Sequence, residues 1–292
     1  MQYFVFGATG YIGSYLYHRL KIDGYSVAGT SRRAMDDGLL FYDIKNCDID
    51  GLLKFADRNE KKIAIICIAE SNINRCYEHY DEAYDINVVK TKKLIQTLVG
   101  NGVKVICFSS DNVFDGVSGN YTEESQTNPI NKYGAMKAKM EQYLLSHESD
   151  VCILRISKVV SMKKERQNVF TEWQEQIKKG FIRCIKGSYL SFVCIEDIYQ
   201  ACLNVAEKNM YGLYNIVGDK AYSRAELAGE FYKRMNISDV DVRECDVQDF
   251  GFIDKRPLNV SMSNQKYKNE TGYQFMSMDT VIEKFISGEG FR

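Results

Sequence analysis

"QYFVFGATGYIG", residues 2–13, carries a short apolar run directly into three glycines spaced three residues apart. The run 2–6 is typical of a buried strand, and the residues that follow Gly13 have a helical pattern. Gly7 permits a tight turn, Gly10 lets a pyrophosphate approach the backbone, and Gly13 allows the helix to pack closely on the strand. The stretch predicts a strand–turn–helix unit whose helix N-terminus binds the phosphates of a dinucleotide, with a glycine turn that binds no ligand as the alternative.

Strand-like apolar runs recur along the first half of the chain and alternate with helical patterns. They are "YSVAGT" (25–30), "IAIICIA" (63–69), "VKVICFSS" (103–110) and "VCILRIS" (151–157). Strands this apolar are buried on both faces, and strands that alternate with helices run parallel. The pattern predicts an α/β fold: a doubly wound, Rossmann-like parallel sheet with a smaller mixed C-terminal substrate lobe.

The alternation becomes less regular after residue 157. Residues 161–180 are predicted to form an exposed amphipathic helix, whereas 196–209 and 212–218 have the pattern of one more helix and strand of the sheet. We therefore predict two domains. The dinucleotide-binding Rossmann domain is formed by residues 1–157 plus about 191–217, and the substrate-binding lobe by about 158–190 plus 218–292.

Composition limits the classes of function. The 292 residues are 45% apolar and 26% charged with a net charge of −1, the profile of a soluble globular protein without a basic surface for nucleic acid. No apolar run approaches the ~18 residues of a membrane helix, and the N-terminus does not resemble a signal peptide, so we expect a cytoplasmic protein. Five of the nine cysteines lie in strand-like runs and no C-x-x-C pair occurs; we expect reduced, buried thiols and no metal site.

The end of the second strand indicates which dinucleotide binds. An acidic residue there would bond the ribose 2′-hydroxyl of NAD, but the strand ends in "GTSRR", residues 29–33. Guanidinium groups suit a 2′-phosphate through paired, charge-assisted hydrogen bonds. We expect NADP(H) to bind through Arg32, assisted by Ser31 or Arg33; solvated surface arginines are the alternative.

A tyrosine and a lysine lie four residues apart in "NKYGAMKAK", residues 131–139. In a helix Tyr133 and Lys137 share one face, and taken alone such a pair more often belongs to a solvated surface. Beside a nicotinamide cofactor the pair has a chemical purpose, because a nearby ammonium favours the phenolate and makes the phenol a better acid for the alkoxide that hydride transfer creates. Ser110 ends the strand 103–110 at the carboxyl edge of the sheet, where ligands of such folds bind. We expect the three side chains to converge on one crevice.

These motifs together resemble a known superfamily. "GATGYIG", "SSD" and "YGAMK" are similar to the motifs of extended short-chain dehydrogenases/reductases. Within that superfamily the chain resembles the dTDP-4-dehydrorhamnose reductase family from residue 1 to about 275, in order and spacing. The segments that carry this resemblance are "SSDNVFDG", "YTEESQTNPINKYGAMKAKMEQYL", "EDIYQA", "GLYNIVG" and "RPLNVSMSNQK".

The resemblance implies NADPH-dependent reduction of the 4-keto group of a nucleotide-linked deoxysugar, a step in nucleotide-sugar and surface-polysaccharide biosynthesis. By position, Tyr133 is the acid, Lys137 tunes it and binds the ribose, and Ser110 orients the substrate. The implied cofactor residues are Gly7, Thr9, Gly10, Tyr11, Ile12 and Gly13 at the pyrophosphate, Asp43 and Ile44 beside the adenine, Ala69 after the fourth strand, and Asn87 near the active site. The implied substrate residues are Asp111, Asn112 and Arg256. Asp43 as a strand-end cap and Asn87 as a buried, satisfied amide are the structural alternatives.

Several positions depart from the family pattern and leave the identity of the sugar open. Asn112 stands where the family has tyrosine, Met136 where it has serine or threonine, and Ala69-Glu70 and Val159-Val160-Ser161 replace other usual residues. In the C-terminal lobe Arg256 is the better candidate for the nucleotide diphosphate, whereas Lys163, Lys164 and Arg166 are more typical of a solvated charge run.

Three functions are compatible with these motifs. The first is the reductase, whose partner is a nucleotide-diphosphate sugar and which allows a homodimer. The second is a sugar-nucleotide 4-epimerase or dehydratase that retains its cofactor, although such enzymes tend toward NAD and an acidic end of the second strand. The third is a non-catalytic, NADP-binding regulatory subunit, since some relatives serve that role.

Overall fold

The computed structural model describes residues 1–32, 38–45, 49, 60–147, 149–164, 168–178, 180–238 and 240–288. The chain divides into two compact units. The first unit comprises Met1–Ser109, Lys132–Leu154 and Tyr199–Leu213, and the second unit comprises Ser110–Asn131, Arg155–Ile198 and Tyr214–Arg292.

Strands and helices alternate through most of the described chain. The strands are β1 (Gln2–Phe6), β2 (Ser26–Ser31), β3 (Leu40–Phe41), β4 (Lys62–Ile66), β5 (Lys104–Ser110), β6 (Val151–Ile156), β7 (Val159–Val160), β8 (Phe181–Ile185), β9 (Tyr189–Leu190), β10 (Val193–Cys194), β11 (Gly212–Ile216), β12 (Tyr222–Ser223) and β13 (Asp241–Cys245). The α-helices are α1 (Tyr11–Ile22), α2 (Ile73–Glu78), α3 (Tyr80–Tyr84), α4 (Thr91–Gly100), α5 (Lys132–His147), α6 (Val169–Ile177), α7 (Ile195–Glu207), α8 (Arg224–Arg234), α9 (Gln265–Thr271) and α10 (Met278–Ser287). A π-helical turn spans Asp85–Lys90, and 3-10 turns span Asp111–Val113 and Val247–Phe250.

A seven-stranded sheet confirms the predicted doubly wound α/β class. Its strand order is β11-β6-β5-β4-β1-β2-β3. β1 pairs in parallel with β2 on one side and with β4 on the other, with Phe4 opposite Ala28 and Ala64. The chain therefore builds the sheet outward in one direction from β1 to β3 and in the other from β4 onward. Ligands of such sheets bind at this switch point, outside the carboxyl ends of β1 and β4.

The core of the first unit lies on the sheet and beneath its helices. Phe4, Phe6, Ile66 and Val105 are buried together with residues of α4 and α5. All five residues of β1 are buried, as the apolar run at 2–6 predicts. Six of the eight cysteines in the described part of the chain are also buried.

The second unit has its own aromatic core, and this core overturns one prediction. The exposed helix expected over 161–180 instead begins at Val169 as α6, and Phe170 and Trp173 are buried. The ring centroids of Phe170 and Phe231 are 5.2 Å apart, and those of Phe170 and Phe285 are 5.3 Å apart. Because Val169, Phe170 and Trp173 form one apolar stripe, the helix packs against α8 and α10 rather than facing water.

The observed division also differs from the predicted domain bounds. Residues 110–131 and 191–198 belong to the second unit, whereas the sequence-based division placed them with the dinucleotide-binding domain. Long-range hydrogen bonds explain the grouping of 110–131. The Asn215 N–H donates to Glu123, its side-chain amide donates to the Tyr121 carbonyl, and the Asn120 N–H donates to Ser261.

Two further observations concern membranes and metals. Across the described ranges, none of the helices has both the length and the apolar character needed to cross a bilayer. In the same ranges, no group of three or more His, Cys, Asp or Glu side chains is arranged to hold a metal ion.

Candidate functional site

The glycine turn after β1 has the geometry that the sequence predicts. Gly7 has a φ of +87°, and its N–H donates to the Thr30 hydroxyl at 3.1 Å, which ties the turn to β2. A Cβ on Gly13 would lie 2.2 Å from the Gly7 carbonyl oxygen, so α1 can approach β1 only without a side chain there.

The start of α1 leaves room for a ligand. A Cβ on Gly10 would meet only the Gly7 oxygen, at 3.4 Å, so the protein's own packing does not require a glycine at this position. No side chain of the described residues caps the helix at Gly10. The first N–H groups of a helix have no intrahelical acceptor, and together with the helix dipole they attract an anion. The cradle thus fits a pyrophosphate group.

A cavity of about 200 Å³ opens at the carboxyl ends of β2 and β4 in the first unit. It brings together three of the predicted cofactor residues: Arg32, Ile44 and Ala69. Ile44 is buried and gives the cavity an apolar wall, whereas Arg32 is exposed. Arg33, predicted to assist Arg32, lies outside the described residues.

A chain of ion pairs along this cavity was not anticipated from the sequence. Arg75 Nε lies 2.9 Å from a Glu70 carboxylate oxygen, Arg75 Nη2 lies 3.7 Å from Glu82, and Lys45 Nζ lies 3.1 Å from Glu82. The Lys45 ammonium hydrogen-bonds to the Glu82 carboxylate and holds the pKa of Glu82 below its ordinary value. Both acidic groups are therefore neutralised by cations, which lowers their repulsion toward a phosphate.

Asp43 and Asn87 adopt the local roles that the structural alternatives describe. Asp43 Oδ1 accepts a hydrogen bond from the Lys45 N–H at 3.0 Å, which closes a tight turn after β3. Asn87 is buried within the π-helical turn; its Oδ1 accepts from the Glu70 N–H at 2.9 Å and its Nδ2 donates to the Glu70 carbonyl at 2.8 Å. Asn87 thus fixes the backbone next to Ala69, in the wall of the cavity.

Tyr133 and Lys137 lie on one face of α5; Tyr133 is buried and Lys137 is half-buried. Lys137 Nζ donates to the Phe108 carbonyl at 2.8 Å and lies 5.9 Å from the centre of the Tyr133 ring. Burial lowers the pKa of Lys137, and the nearby Cys107 and Glu141 partly oppose that effect. The pair is therefore built into the first unit rather than displayed on a solvated helix face.

A small cavity of about 30 Å³ lies beside the Lys137 side chain. Ser109, Asn87 and Glu141 also line it. The Ser109 hydroxyl is buried and has no hydrogen-bond partner among the described residues. A cavity of this volume has room for one water molecule. Sequence patterns give no signal for such a cavity, because it depends on how six elements pack.

Ser110, Asp111 and Asn112 form a hydrogen-bonded cluster in the second unit. The Ser110 hydroxyl donates to Asp111 Oδ1 at 2.9 Å and accepts from the Asn112 N–H at 3.2 Å. Asp111 Oδ2 accepts from the Ser157 hydroxyl at 2.6 Å. Burial raises the pKa of Asp111, and these hydrogen bonds oppose the rise. Both carboxylate oxygens of Asp111 therefore accept bonds from neighbouring side chains of its own unit.

Arg256 is held by aromatic stacking in the second unit. Its guanidinium carbon lies 4.4 Å from the centre of the Phe252 ring, and Nη1 donates to the Asp254 carbonyl at 2.9 Å. Burial lowers the pKa of Arg256. Lys164, in contrast, donates to the Ile286 carbonyl at 3.1 Å at the end of α10. Arg166 lies outside the described residues.

The model of one family matches nearly the whole chain. That family is described as the RmlD substrate binding domain, and the match covers residues 1–289. The chain belongs to the RmlD substrate binding domain family. The resemblance to dTDP-4-dehydrorhamnose reductases and to extended short-chain dehydrogenases/reductases is thereby confirmed.

Proteins similar to this RmlD-family chain include a solved reductase structure, a subunit of a methionine adenosyltransferase and a probable glycan biosynthesis reductase. The dTDP-4-dehydrorhamnose reductase of Bacillus anthracis, in complex with NADP, matches with a TM-score of 0.84 over 99% of this chain and 100% of that one, at 22% identity, which shows a shared fold. Methionine adenosyltransferase 2 subunit beta of Xenopus tropicalis is 23% identical over 270 residues, 89% of this chain and 79% of that protein. The probable low-salt glycan biosynthesis reductase Agl14 of Haloferax volcanii is 27% identical over 179 residues, 59% of each.

Two departures from the family pattern have different surroundings. Met136 is 1% exposed, within the core of the first unit, where its sulfur lies 3.9 Å from Asn87 Nδ2. Asn112 contacts Ser110 and Asp111 directly. Of these two positions, Asn112 is therefore the one that contacts the Ser110 hydroxyl.

Proposed function

We propose that this chain is an NADPH-dependent reductase of the 4-keto group of a nucleotide-linked deoxysugar, similar to dTDP-4-dehydrorhamnose reductase. The observation that carries the proposal is the pair formed by the buried Tyr133 and the half-buried Lys137, with the lysine ammonium 5.9 Å from the centre of the tyrosine ring. Membership of the RmlD substrate binding domain family and the likeness to the NADP-bound dTDP-4-dehydrorhamnose reductase support it. We place the activity in the cytoplasm, in polysaccharide biosynthesis.

The first unit would hold the cofactor. The N–H groups at the start of α1, opened by Gly10, would bind the pyrophosphate. Ile44 and Ala69 would line the adenine end of the 200 Å³ cavity, and Arg32 would pair with the 2′-phosphate of NADP. When bound, NADPH supplies the hydride that reduces the carbonyl carbon.

The chain's own residues would handle the proton and the carbonyl oxygen. Tyr133 gives its hydroxyl proton to the oxygen of the former ketone, so that the alkoxide is neutralised as it forms. The Lys137 ammonium favours the resulting phenolate, and the Phe108 carbonyl keeps that ammonium in place. Ser110 donates a hydrogen bond to the carbonyl oxygen and orients it. Solvent then returns a proton to Tyr133 before the next turnover.

One assay tests the reductase and separates it from the other candidates. Each ketosugar, linked to dTDP, UDP, GDP or CDP, is incubated with NADPH, and both the nicotinamide absorbance and the sugar product are followed. A reductase oxidises one NADPH for each sugar reduced. If no ketosugar consumes NADPH while a sugar nucleotide is interconverted, the epimerase function replaces the reductase.

A regulatory subunit is the second candidate, because several relatives are named methionine adenosyltransferase 2 subunit beta. Such a protein would bind the dinucleotide and a partner enzyme without turning over a sugar. Raised thermal stability with NADPH, together with stable co-purification of a methionine adenosyltransferase and no NADPH oxidation, would support it. A chain that binds NADPH and reduces a ketosugar without that partner contradicts it.

A further inference from the structure

Asn131, which none of the functional roles above uses, connects the Ser110 cluster to the loop that carries Arg256. Asn131 is 4% exposed, and its Nδ2 donates to Asn112 Oδ1 at 2.9 Å and to the Lys255 carbonyl at 3.2 Å. Arg256 Nη1 lies 3.3 Å from the same carbonyl. All of these residues belong to the second unit, so the connection lies within one compact body.

The bond from Asn131 decides how the Asn112 amide is oriented. An amide side chain has a donor end and an acceptor end of the same shape, and its orientation follows from its partners. Because Asn131 Nδ2 is a donor only, the end of Asn112 that faces it must be the oxygen. The Asn112 Nδ2 group is then directed at Asp111 Oδ1, at 2.9 Å, and at the Ser110 hydroxyl oxygen, at 3.3 Å.

This orientation gives the buried Asp111 carboxylate a second donor. Asp111 Oδ1 accepts from both the Ser110 hydroxyl and Asn112 Nδ2. If the oxygen and nitrogen of the Asn112 amide exchanged places, Asn112 would no longer donate to Asp111 Oδ1. Among the described residues, the Ser110 hydroxyl would then be the one side chain that still donates to this oxygen. A buried carboxylate that loses its donor is costly, so the Ser110 proton would stay on Asp111.

We propose that Asn131 is a positioning residue: it holds Asn112 in the orientation that supplies Asp111 with a substitute donor and so frees the Ser110 hydroxyl to donate to a substrate carbonyl. The last step rests on the proposed reductase function. A serine hydroxyl has a single proton, which cannot be given to Asp111 and to a ketone at once. The orientation of Asn112 is a property of the protein alone.

The charged surroundings of Asp111 define what else could change its titration. Lys158 interacts electrostatically with Asp111; burial lowers the pKa of this lysine, and its other charged neighbours are Glu172 and Arg224. Asp111 is otherwise surrounded by the hydroxyls of Ser110 and Ser157 and by Asn112. A neutral substitution of Asn131 leaves all these charges in place.

The first test measures the carboxyl group of Asp111 and needs no substrate. The ¹³C shift of the Asp111 carboxyl is titrated by NMR in the full-length wild type and in Asn131→Ala. Without the hydrogen bond from Asn131, the Asn112 amide can reverse, and Asn112 Nδ2 then no longer donates to the Asp111 carboxylate. The pKa of Asp111 should therefore rise. Asn264→Ala is the matched control, because Asn264 Nδ2 also bridges a backbone carbonyl and a carboxylate, those of Val217 and Asp219. An unchanged pKa in Asn131→Ala overturns the proposal.

The second test is kinetic. Asn131→Asp presents an oxygen to Asn112 and forces it to reverse, so kcat for ketosugar reduction should fall by about tenfold while NADPH binding is unchanged. In Asn131→Ala the fall in kcat should be smaller. This variant is used for the kinetic test if Asn131→Asp does not fold. In an Asn112→Ala background the substitution at Asn131 should change kcat by less than about twofold, because its effect passes through Asn112. Equal losses in both backgrounds contradict the proposal.

The two tests keep the positioning role separate from the proposed function. If the wild type reduces no ketosugar but the pKa of Asp111 rises in Asn131→Ala, the positioning role stands and the reductase function fails. If the wild type is a reductase and neither the pKa nor kcat responds to Asn131, the positioning role fails and the reductase function stands.

Discussion

Tyr133 is the residue on which the proposed chemistry depends most directly. Tyr133→Phe keeps a buried aromatic ring in α5 but removes the proton donor, so kcat should fall by roughly 10²–10⁴-fold. The Kd of NADPH, measured by fluorescence titration, should stay within about twofold because the helix and its packing are retained. Tyr143→Phe, on the same helix with its hydroxyl bonded to Gln96, is the matched control and should turn over normally. A Tyr133→Phe protein with more than about a tenth of wild-type kcat would exclude this role.

Arg32 should decide between the two dinucleotides. It lines the cavity at the end of β2, where the 2′ position of the adenosine ribose would lie. In Arg32→Ala the Kd of NADPH should rise roughly tenfold or more while that of NADH changes little, since one charge-assisted bond to the phosphate is lost. Calorimetric titration of both dinucleotides measures the ratio. Arg75→Ala is the control, because the Arg75 charge is already paired with Glu70. If Arg32→Ala weakens the binding of NADPH and NADH equally, Arg32 does not contact the 2′-phosphate.

Sequence patterns predict residues best when their partners lie in the same element. Lys137 follows Tyr133 by one turn of α5, so their shared face follows from helix geometry alone. Asp111 is different: its carboxylate accepts from Ser157, 46 residues away, and nothing in the local pattern indicates which way it faces. The same holds for the bond between Asn131 and Asn112, which depends on the path of the intervening loop.

At the scale of elements, the contact between β1 and α1 can be tested through Gly13. A methyl group there would lie 2.2 Å from a backbone oxygen of Gly7, which cannot move without displacing the glycine turn. Gly13→Ala should lower the free energy of unfolding by roughly 1–3 kcal/mol and weaken dinucleotide binding, measured by urea denaturation and by titration. Gly229→Ala is the control: it lies within α8 with open space around its Cβ position, so it should stabilise the protein by up to about 1 kcal/mol. Equal stabilities for the two variants would contradict this account.

Elements with a strong periodicity of their own were predicted, and elements defined by distant pairing were not. The apolar runs of β1, β4, β5 and β6 appear where the sequence predicts them. The two-residue strands β9 and β12 have no pattern to detect, because each is defined by pairing with a distant segment of the chain. The start of α6 has a sequence signal, since Asn168 and Thr171 form a capping box at the beginning of the apolar stripe.

At the scale of the whole molecule, composition predicts the class of protein but not how the chain is divided. The 45% apolar content is enough for two cores, one in each unit. The segment 110–131 follows a strand of the sheet, yet its hydrogen bonds reach residues 92 to 141 positions further along the chain. Pairings over such distances leave no local signature, so the sequence placed the segment with the unit that precedes it.

Buried charge gives the whole molecule a dependence of stability on pH that can be tested at Lys104. This residue begins β5 and is 6% exposed; its ammonium lies 3.3 Å from the centre of the Tyr211 ring and 3.4 Å from Asn209 Oδ1. Burial lowers its pKa from 10.5 to about 8. Below pH 8 the lysine is charged in both the folded and the unfolded chain, and the folded protein carries the full cost of burying that charge.

Between pH 8 and 10.5 the unfolded chain binds more protons at Lys104 than the folded one, so this residue raises the free energy of unfolding as the pH increases. Lys104→Met removes the charge and keeps a long side chain, so it should stabilise the protein at pH 7 by on the order of 1–3 kcal/mol. At pH 10.5 the advantage should largely disappear, because the wild-type lysine is then neutral when folded. Urea denaturation of both proteins at the two pH values measures this change, with Lys62→Met, at the start of β4, as the control. An advantage of Lys104→Met that is the same at both pH values would show that burial of the ammonium does not cause it.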